Sequence, residues 1–277
     1  MPKLLPPGAK EAYERDGYWF PVRVLSAAEA AANRARLEAY ERVAGGPIGS
    51  NMRHKVHLLF TWAAELVRHP RILDAVEDLI GPDILCWTTN FFIKEPRDPA
   101  FVSWHQDSTY WGLEPHDVVT AWLALSDAPV ASGAMKFLPG SHKQAQIPHR
   151  DTFHKDNLLT RGQEVAVEVD ERQAIDVPLA AGEISLHHIR LVHGSKPNTT
   201  ADRRIGLAIR YIPTYVRQTK VADSATLVRG TDGYRHFEAE PAPAADLDPA
   251  ALAAHKRVME KQIATYYSGT DIKVART

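Results

Sequence analysis

The feature that most constrains the fold is a series of short β-branched and aromatic segments that begins at about residue 83. ILCWTTNFFIKEP, FVSWHQD, VVTAWLALSD and GAMKFLPGSH are bounded by Gly, Pro or Ser, and VAVEVD, EISLHH and RIGLAIRYIP alternate in polarity. Such segments favour strands, and no helical period separates them. The pattern predicts an antiparallel sandwich or jelly roll.

Helical segments flank this β-rich region. Ser26 and Glu29 have the spacing of a capping box ahead of an Ala- and Glu-rich run that ends at Gly45. Further helices are predicted in HPRILDAVEDLIGP and in DPAALAAHKRVMEKQIATYYSG, and the polar segment HRDTFHKDNLLTRGQ is a candidate lid. We expect a single domain over 1–277, divided into a mostly helical part (1–82), a jelly-roll core (83–215) and a C-terminal loop and helix (216–277).

Composition argues against several classes of protein. The formal net charge is -1, which gives no indication of nucleic acid or an anionic membrane as a partner. Cys86 is the single cysteine, so an internal disulfide and a thiolate zinc cluster are both excluded. MPKLLPPGAKEAYERDG lacks an apolar run of signal-peptide length, and no stretch approaches the roughly 18 apolar residues of a membrane span. We expect a cytoplasmic protein that acts on a small molecule, and the sequence does not indicate its oligomeric state.

The stretch WHQDSTYW, which begins at Trp104, is a candidate half of a metal site. If it is a strand, His105 and Asp107 point to the same face and together supply two ligands of a 2-His-1-carboxylate facial triad. A His-x-Asp pattern is common by chance, and a simple hydrogen-bonded pair at a strand end is the alternative. The interpretation therefore depends on a second histidine elsewhere in the chain.

His193 is the strongest candidate for that second histidine. It ends an apolar segment before a Gly-Ser turn, and Arg204 follows eleven positions later at the start of RIGLAIRYIP. Alternation places Arg204 on one face with two small residues, which leaves room for the carboxylate of a diacid such as 2-oxoglutarate. The alternative for Arg204 is a surface ion pair with Asp202. The other candidate histidines are His142, His149, His154, His187 and His188.

Two blocks of sequence resemble the phytanoyl-CoA dioxygenase family, namely WHQDSTYWGLEPHDVVTAWLALSDAPVASGAMKFLPGSHK and LHHIRLVHGSKPNTTADRRIGLAIRYIP. The resemblance implies a mainly β fold with flanking helices and a double-stranded β-helix (jelly-roll, cupin-like) core. It implies Fe(II), 2-oxoglutarate and O2, with ascorbate as a candidate reductant. By position in the motifs, it assigns the metal to His105, Asp107 and His193, the distal carboxylate of 2-oxoglutarate to Arg204, and further cosubstrate contacts to Trp122, Asn90, Lys55 and Ser195.

The resemblance further implies hydroxylation or a related oxidation of a C–H bond, with release of succinate and CO2. Relatives that halogenate have Gly or Ala in place of the carboxylate, so Asp107 argues against a halogenase. A non-catalytic protein with a relic metal site would have lost a ligand or the arginine, and neither is lost. A zinc hydrolase would leave Arg204 without a role. Three questions stay open. His188 either supports the metal ligands or is a core residue, and Arg210 either contacts an anionic substrate or forms a structural ion pair. The aromatic residues Trp104, Tyr110, Trp111 and Phe137 line the pocket or belong to the core.

Overall fold

A computed structural model of the protein describes residues 2–266, so the end of the predicted C-terminal segment, residues 267–277, lies outside the described residues. The helices are α1 Ala9–Asp16, α2 Ala27–Ala44, α3 Thr61–Leu66, α4 Pro70–Ile80, α5 Ser108–Trp111 and α6 Pro249–Tyr266. The strands are β1 Tyr18–Arg23, β2 Ile84–Lys94, β3 Val102–His105, β4 Leu113–Glu114, β5 Val119–Ala124, β6 Met135–Phe137, β7 His149–Asp151, β8 Gln163–Val165, β9 Ile175–Val177, β10 Glu183–His188, β11 His193–Ser195, β12 Arg204–Pro213, β13 Arg217–Gln218, β14 Ser224–Arg229 and β15 Glu238–Ala239. Short 3-10 helices occupy Val56–Leu58, Val130–Ser132, Ser141–Lys143 and Glu171–Gln173.

Two sheets form the core. The major sheet has seven strands in the order β1-β10-β5-β12-β2-β14-β15, and the minor sheet has four in the order β3-β11-β6-β9. Their strand pairs are antiparallel except for β14 with β15. Trp122 and Ala208 of the major sheet pack in one apolar cluster with Met135 and Phe137 of the minor sheet, so the two sheets face each other. The architecture is the predicted jelly roll.

Strand β12 shows how alternation divides the interior. Ile205, Leu207 and Ile209 pack in a core cluster that also contains the buried faces of α3 and α4. Arg204 and Arg210 point the other way and line a cavity between the sheets. The predicted assignment of these two faces is confirmed, and it puts charged side chains where the sheets meet.

The helical flanks form largely as the local signals indicate. The capping box at Ser26 is complete, because Glu29 N donates to its Oγ at 3.2 Å while Ser26 N donates to Glu29 Oε2 at 2.7 Å. Gly45 ends α2 in a left-handed conformation, as glycine readily does at that position. No helix within residues 2–266 is long and apolar enough to cross a membrane.

Several strand assignments differ from the expectation, and three of them show the reasons. Strand β1 lies inside the region expected to be mostly helical, and it completes one edge of the major sheet by pairing with β10. Strand β14 extends the same sheet beyond residue 215 by pairing with β2. VAVEVD does not form a strand beyond Val165, and Val167 is 50% exposed. Alternation shows which face a strand would bury but not whether a partner strand is available, and this segment has none.

Candidate active site

Two histidines lie side by side on neighbouring strands of the minor sheet. His193 of β11 pairs directly with His105 of β3, and their ring centroids are 4.1 Å apart. Each Nδ1 lies 2.9 Å from a backbone carbonyl two residues earlier, at Leu191 O and Ser103 O. An Nδ1–H that donates to these carbonyls leaves the lone pair of each Nε2 free to bind a metal.

The carboxylate reaches the histidines from a helix start, which corrects the expectation that His105 and Asp107 lie on one strand. Strand β3 ends at His105, and Asp107 immediately precedes α5. Gln106 fixes the turn between them, because its backbone N–H donates to His149 Nε2 at 2.9 Å and its side chain donates to Arg190 O at 2.8 Å. The turn, rather than strand alternation, brings Asp107 Oδ1 to 3.4 Å from His105 Nε2.

The donor set fits one metal ion. One potential ligand atom from each of His105, Asp107 and His193 lies within 4.8 Å of the other two, and all three residues are buried. Asp107 Oδ2 is buried without a hydrogen-bond partner among the described residues. Burial alone would raise the pKa of Asp107, but the bond with His105 and the charge of Arg210 hold it below its usual range. Burial, reinforced by repulsion from His105, lowers the pKa of His193 to about 4. An ionised carboxylate with neutral imidazoles is the state that binds Fe(II).

Arg204 lies buried on the opposite sheet of the same cavity. Its Nη1 donates to Gly133 O at 2.6 Å, its Nε has no partner among the described residues, and burial lowers its pKa to about 10. The guanidinium carbon is 5.2 Å from the centre of the Trp122 ring, which also lines the cavity. Asp202 pairs with Arg34 instead, so the surface ion pair considered for Arg204 does not form. A buried guanidinium with a free donor is suited to a carboxylate.

Ser195 lines this cavity beside a lysine that sequence reasoning missed. Lys94 is fully buried, and its Nζ donates to Ser195 Oγ at 2.7 Å and to Lys196 O. Burial, and then the charge of Arg204, lowers the pKa of Lys94 to about 6. Lys94 is directly opposite Arg204 in the pairing of β2 with β12, so the strand pairing was the signal that could have identified it.

The structure brings Asn90 near the site but not Lys55. Asn90 Oδ1 accepts a long hydrogen bond of 3.4 Å from Arg210, at the wall of an adjoining pocket. The Nζ of Lys55 instead donates to Glu240 Oε1 at 2.5 Å and to Ser224 O at 2.9 Å, and Lys55 is absent from the walls of both cavities. The structure therefore does not bring Lys55 to the cavity of the expected cosubstrate contact, because its ammonium group pairs with a buried carboxylate of the C-terminal loop.

An outer pocket adjoins the metal cavity and shares Phe92, Asp107 and Arg210 with it. Tyr110 and Trp111 form part of its wall, and so do Leu158 to Arg161 of the predicted lid segment. The arrangement gives a small molecule access to the space beside the metal ligands.

The remaining aromatic and histidine side chains differ in whether they line a cavity. His187, one of the other candidate histidines, and Thr120, which the sequence did not single out, line the metal cavity. The Nδ1 of His187 and the Oγ1 of Thr120 are buried and lack partners among the described residues. Phe137 packs between the sheets beside His193, and Trp104 lies outside both cavities. His188 packs against His142, 5.3 Å between ring centres, and borders neither cavity, so it is a structural histidine.

A jelly roll that holds two histidines, one carboxylate and a buried arginine in its interior is typical of the 2-oxoglutarate-dependent non-heme iron dioxygenases. The sequence matches the profile of the phytanoyl-CoA dioxygenase (PhyH) family over residues 13–206, and the chain belongs to that family.

Curated relatives and solved structures agree with this class. The chain is 34% identical over 161 residues to a probable alpha-ketoglutarate-dependent hypophosphite dioxygenase of Stutzerimonas stutzeri, covering 56% of this chain and 54% of that protein. It is 27% identical over 228 residues to L-proline trans-4-hydroxylase of Streptomyces griseoviridis, covering 73% and 85%. The chain thus spans only about half the length of the first of these relatives. The apo structure of the non-heme monooxygenase ThoJ superimposes with a TM-score of 0.83 at 39% identity, covering 92% of this chain and 95% of that one.

Proposed function

We propose that this protein hydroxylates, or otherwise oxidises, a C–H bond of a small molecule, using Fe(II), 2-oxoglutarate and O2 and releasing succinate and CO2. The observation that carries the proposal is the convergence of His105, Asp107 and His193 within 4.8 Å in a cavity that Arg204 also lines. When bound, iron and 2-oxoglutarate supply the oxidising chemistry, and the protein supplies binding and orientation.

Each residue has a proposed task. His105 and His193 hold the metal through Nε2, with their rings fixed by the carbonyls behind them, and Asp107 adds the anionic ligand. Arg204 binds the distal carboxylate of 2-oxoglutarate, and Trp122 packs along the cosubstrate. Ser195 contributes a hydroxyl beside Arg204. Asn90, on the outer wall, is assigned to the outer pocket rather than to Arg204's end of the cavity.

Apolar side chains form part of the wall of this cavity. Phe92, Val102 and Met135 border it together with the ligands, and Met135 and the ligands are buried. Burial of the site strengthens the interaction between Arg204 and a carboxylate.

The setting of the reaction is also a proposal. We assign the protein to the cytoplasm, since its one cysteine, Cys86, is buried and free. The net charge of -1 favours a small molecule over nucleic acid or a membrane surface as the partner.

The test is an anaerobic titration followed by visible absorption. Fe(II) and 2-oxoglutarate together are expected to give a weak charge-transfer band that neither gives alone. His193→Ala should abolish the band, and Arg204→Ala should raise the 2-oxoglutarate concentration needed to form it.

Two variants control for the loss of a side chain alone. His236 is exposed and lies outside the site. Arg203 is the residue immediately before β12, and it pairs with Glu41 and Glu95 instead of lining the cavity. His236→Ala and Arg203→Ala should both keep the wild-type band. If the wild-type protein binds iron but gives no band, the proposal that 2-oxoglutarate is the cosubstrate is wrong.

A further inference from the structure

Arg210 is a buried cation without a carboxylate partner. It is 4% exposed, and no carboxylate oxygen of the described residues lies within 4.0 Å of its guanidinium nitrogens. Its one hydrogen bond runs from Nη1 to Asn90 Oδ1 at 3.4 Å, and its Nε has no partner in this part of the chain. Removing a guanidinium group from water without pairing it is costly in free energy. An anionic ligand that binds Arg210 would offset this cost.

The guanidinium group of Arg210 lies beside two aromatic rings where the two cavities meet. Its guanidinium carbon lies 5.2 Å from the ring centre of Trp111 and 5.7 Å from that of Phe92. Trp111 in turn packs against Trp87, with ring centres 4.9 Å apart and ring planes tilted by 52°. Arg210 thus extends from a central strand and lies near two aromatic rings, and a guanidinium fork positioned by its neighbours loses less entropy when it binds an oxyanion.

The described residues around the outer pocket offer Arg210 no ion pair. Arg161, the other arginine on the wall, forms an ion pair with Asp151, which lies outside the wall. Asp107 is the carboxylate on the wall, and the charge of Arg210 acts on it, but it forms no ion pair with Arg210 and belongs to the candidate metal site. The positive potential is also felt at His54, because burial and then the charges of Arg53 and Arg210 lower its pKa to about 3.

The remaining wall sets the shape of the ligand. This wall is mixed: Thr160 and Gln163 are polar, whereas Leu158, Leu159, Trp111 and Phe92 supply apolar surface that favours a compact hydrocarbon body next to the charged end. We propose that the substrate is a small organic acid whose carboxylate or phosphonate oxyanion binds Arg210, with its apolar body in the outer pocket. This inference rests on the proposed function, because it makes the outer pocket the substrate site of the same enzyme.

The experiment is calorimetric titration of the anaerobic Fe(II)–2-oxoglutarate protein with three probes of matched size: butanoate, propylphosphonate and butanamide. We expect at least one anion to bind about tenfold or more tightly than the neutral amide. Arg210→Gln should remove that preference, and Arg210→Lys should retain part of it. Arg217→Gln, which removes an exposed positive charge from β13, should bind all three probes as the wild type does.

The outcomes separate the two proposals. A preference for butanoate assigns carboxylic acids, and one for propylphosphonate assigns phosphonates. If neither anion binds more tightly than butanamide, or if Arg210→Gln keeps the preference, the anion site is wrong. The charge-transfer band is recorded on the same samples. Loss of the band in the wild type contradicts the proposed function, whereas its loss in Arg210→Gln alone would make Arg210 a cosubstrate residue and overturn the substrate inference.

Discussion

Gly206 lies directly against the indole of Trp122: a Cβ added at Gly206 would be 1.8 Å from Cζ2 of that ring. The two residues are on neighbouring strands of the major sheet, and Arg204 is two positions from Gly206 on the same face. The glycine is required by this close approach rather than by a left-handed backbone. It therefore sets the position of the ring that borders the cavity beside Arg204.

Gly206→Ala should displace Trp122 and weaken cosubstrate binding. We expect the dissociation constant of 2-oxoglutarate to rise about tenfold or more, and the free energy of unfolding to fall by about 1–3 kcal/mol from overpacking. The measurements are a titration of the charge-transfer band and chemical denaturation. Gly233→Ala is the control, because nothing lies within 4 Å of a Cβ there. Wild-type affinity in Gly206→Ala would show that the ring does not position the cosubstrate.

Ser195→Ala should weaken 2-oxoglutarate binding while leaving the affinity for iron unchanged. Loss of one buried hydrogen bond of about 0.5–1.5 kcal/mol corresponds to a roughly two- to twelvefold rise in the dissociation constant. Separate titrations with the metal and with 2-oxoglutarate measure the two affinities. Ser26→Ala, at the start of α2, lowers helix stability but should not alter either affinity. A parallel loss of iron affinity in Ser195→Ala would instead indicate a distorted β11.

The metal and the cosubstrate should each stabilise the folded protein. A ligand at 100 times its dissociation constant adds about 2.7 kcal/mol, which for a chain of this size raises Tm by roughly 5–10 °C. Thermal unfolding with Fe(II) under anaerobic conditions, with and without 2-oxoglutarate, measures the two increments, and a chelator should remove both. Arg204→Ala should keep the metal increment and lose that of 2-oxoglutarate, whereas Arg203→Ala should keep both. Equal cosubstrate increments in the two variants would argue against the role of Arg204.

Glu240 should govern part of the acid sensitivity of the fold. Burial alone would raise the pKa of Glu240, but Lys55 and His57 hold it below its ordinary value. A lowered folded-state pKa gives stability that is present above the unfolded pKa of about 4.3 and is lost as the pH falls. Glu240→Gln should lower the free energy of unfolding by about 3–5 kcal/mol at pH 7, since Lys55 then lacks its buried partner.

The pH dependence distinguishes this ion pair from a packing effect. The difference between Glu240→Gln and the wild type should shrink as the pH falls below about 4, measured by denaturation across a pH series. Glu238→Gln, which removes an exposed partner of Lys261, should leave the unfolding free energy nearly unchanged. A difference that is constant from pH 7 to pH 3 would contradict an electrostatic origin.

Local sequence signals predicted the features that depend on local geometry. The two faces of β12 followed from alternation, and the start of α2 followed from Ser26 and Glu29. The convergence of His105 with His193 and Arg204 was anticipated through the motif spacing and the family resemblance rather than through folding rules. The division into a single domain over 1–277 and the roles of the site residues stay predictions.

The features that could not be predicted from the sequence depend on which segments become neighbours in the folded protein. Lys94 lies opposite Arg204 only because β2 pairs with β12 in one register, and it reaches Ser195 of the other sheet only because the two sheets pack together. Lys55 pairs with Glu240, which is far along the chain. Asp107 reaches the histidines through a helix start that strand alternation does not describe. Arg210 could be placed on a face from the sequence, but its lack of an ion pair with any described carboxylate is a property of the assembled sheets.

The ion pair between Lys55 and Glu240 has a consequence for the order in which the chain can fold during synthesis. The two residues are 185 positions apart. At about 5–20 residues per second, Glu240 leaves the ribosome roughly 10–40 seconds after Lys55. Throughout that interval the ammonium group has no anion with which to be buried, so the segment around Val56–Leu58 stays in water. The outer face of β2 can close over Lys55 only after Glu240 has emerged.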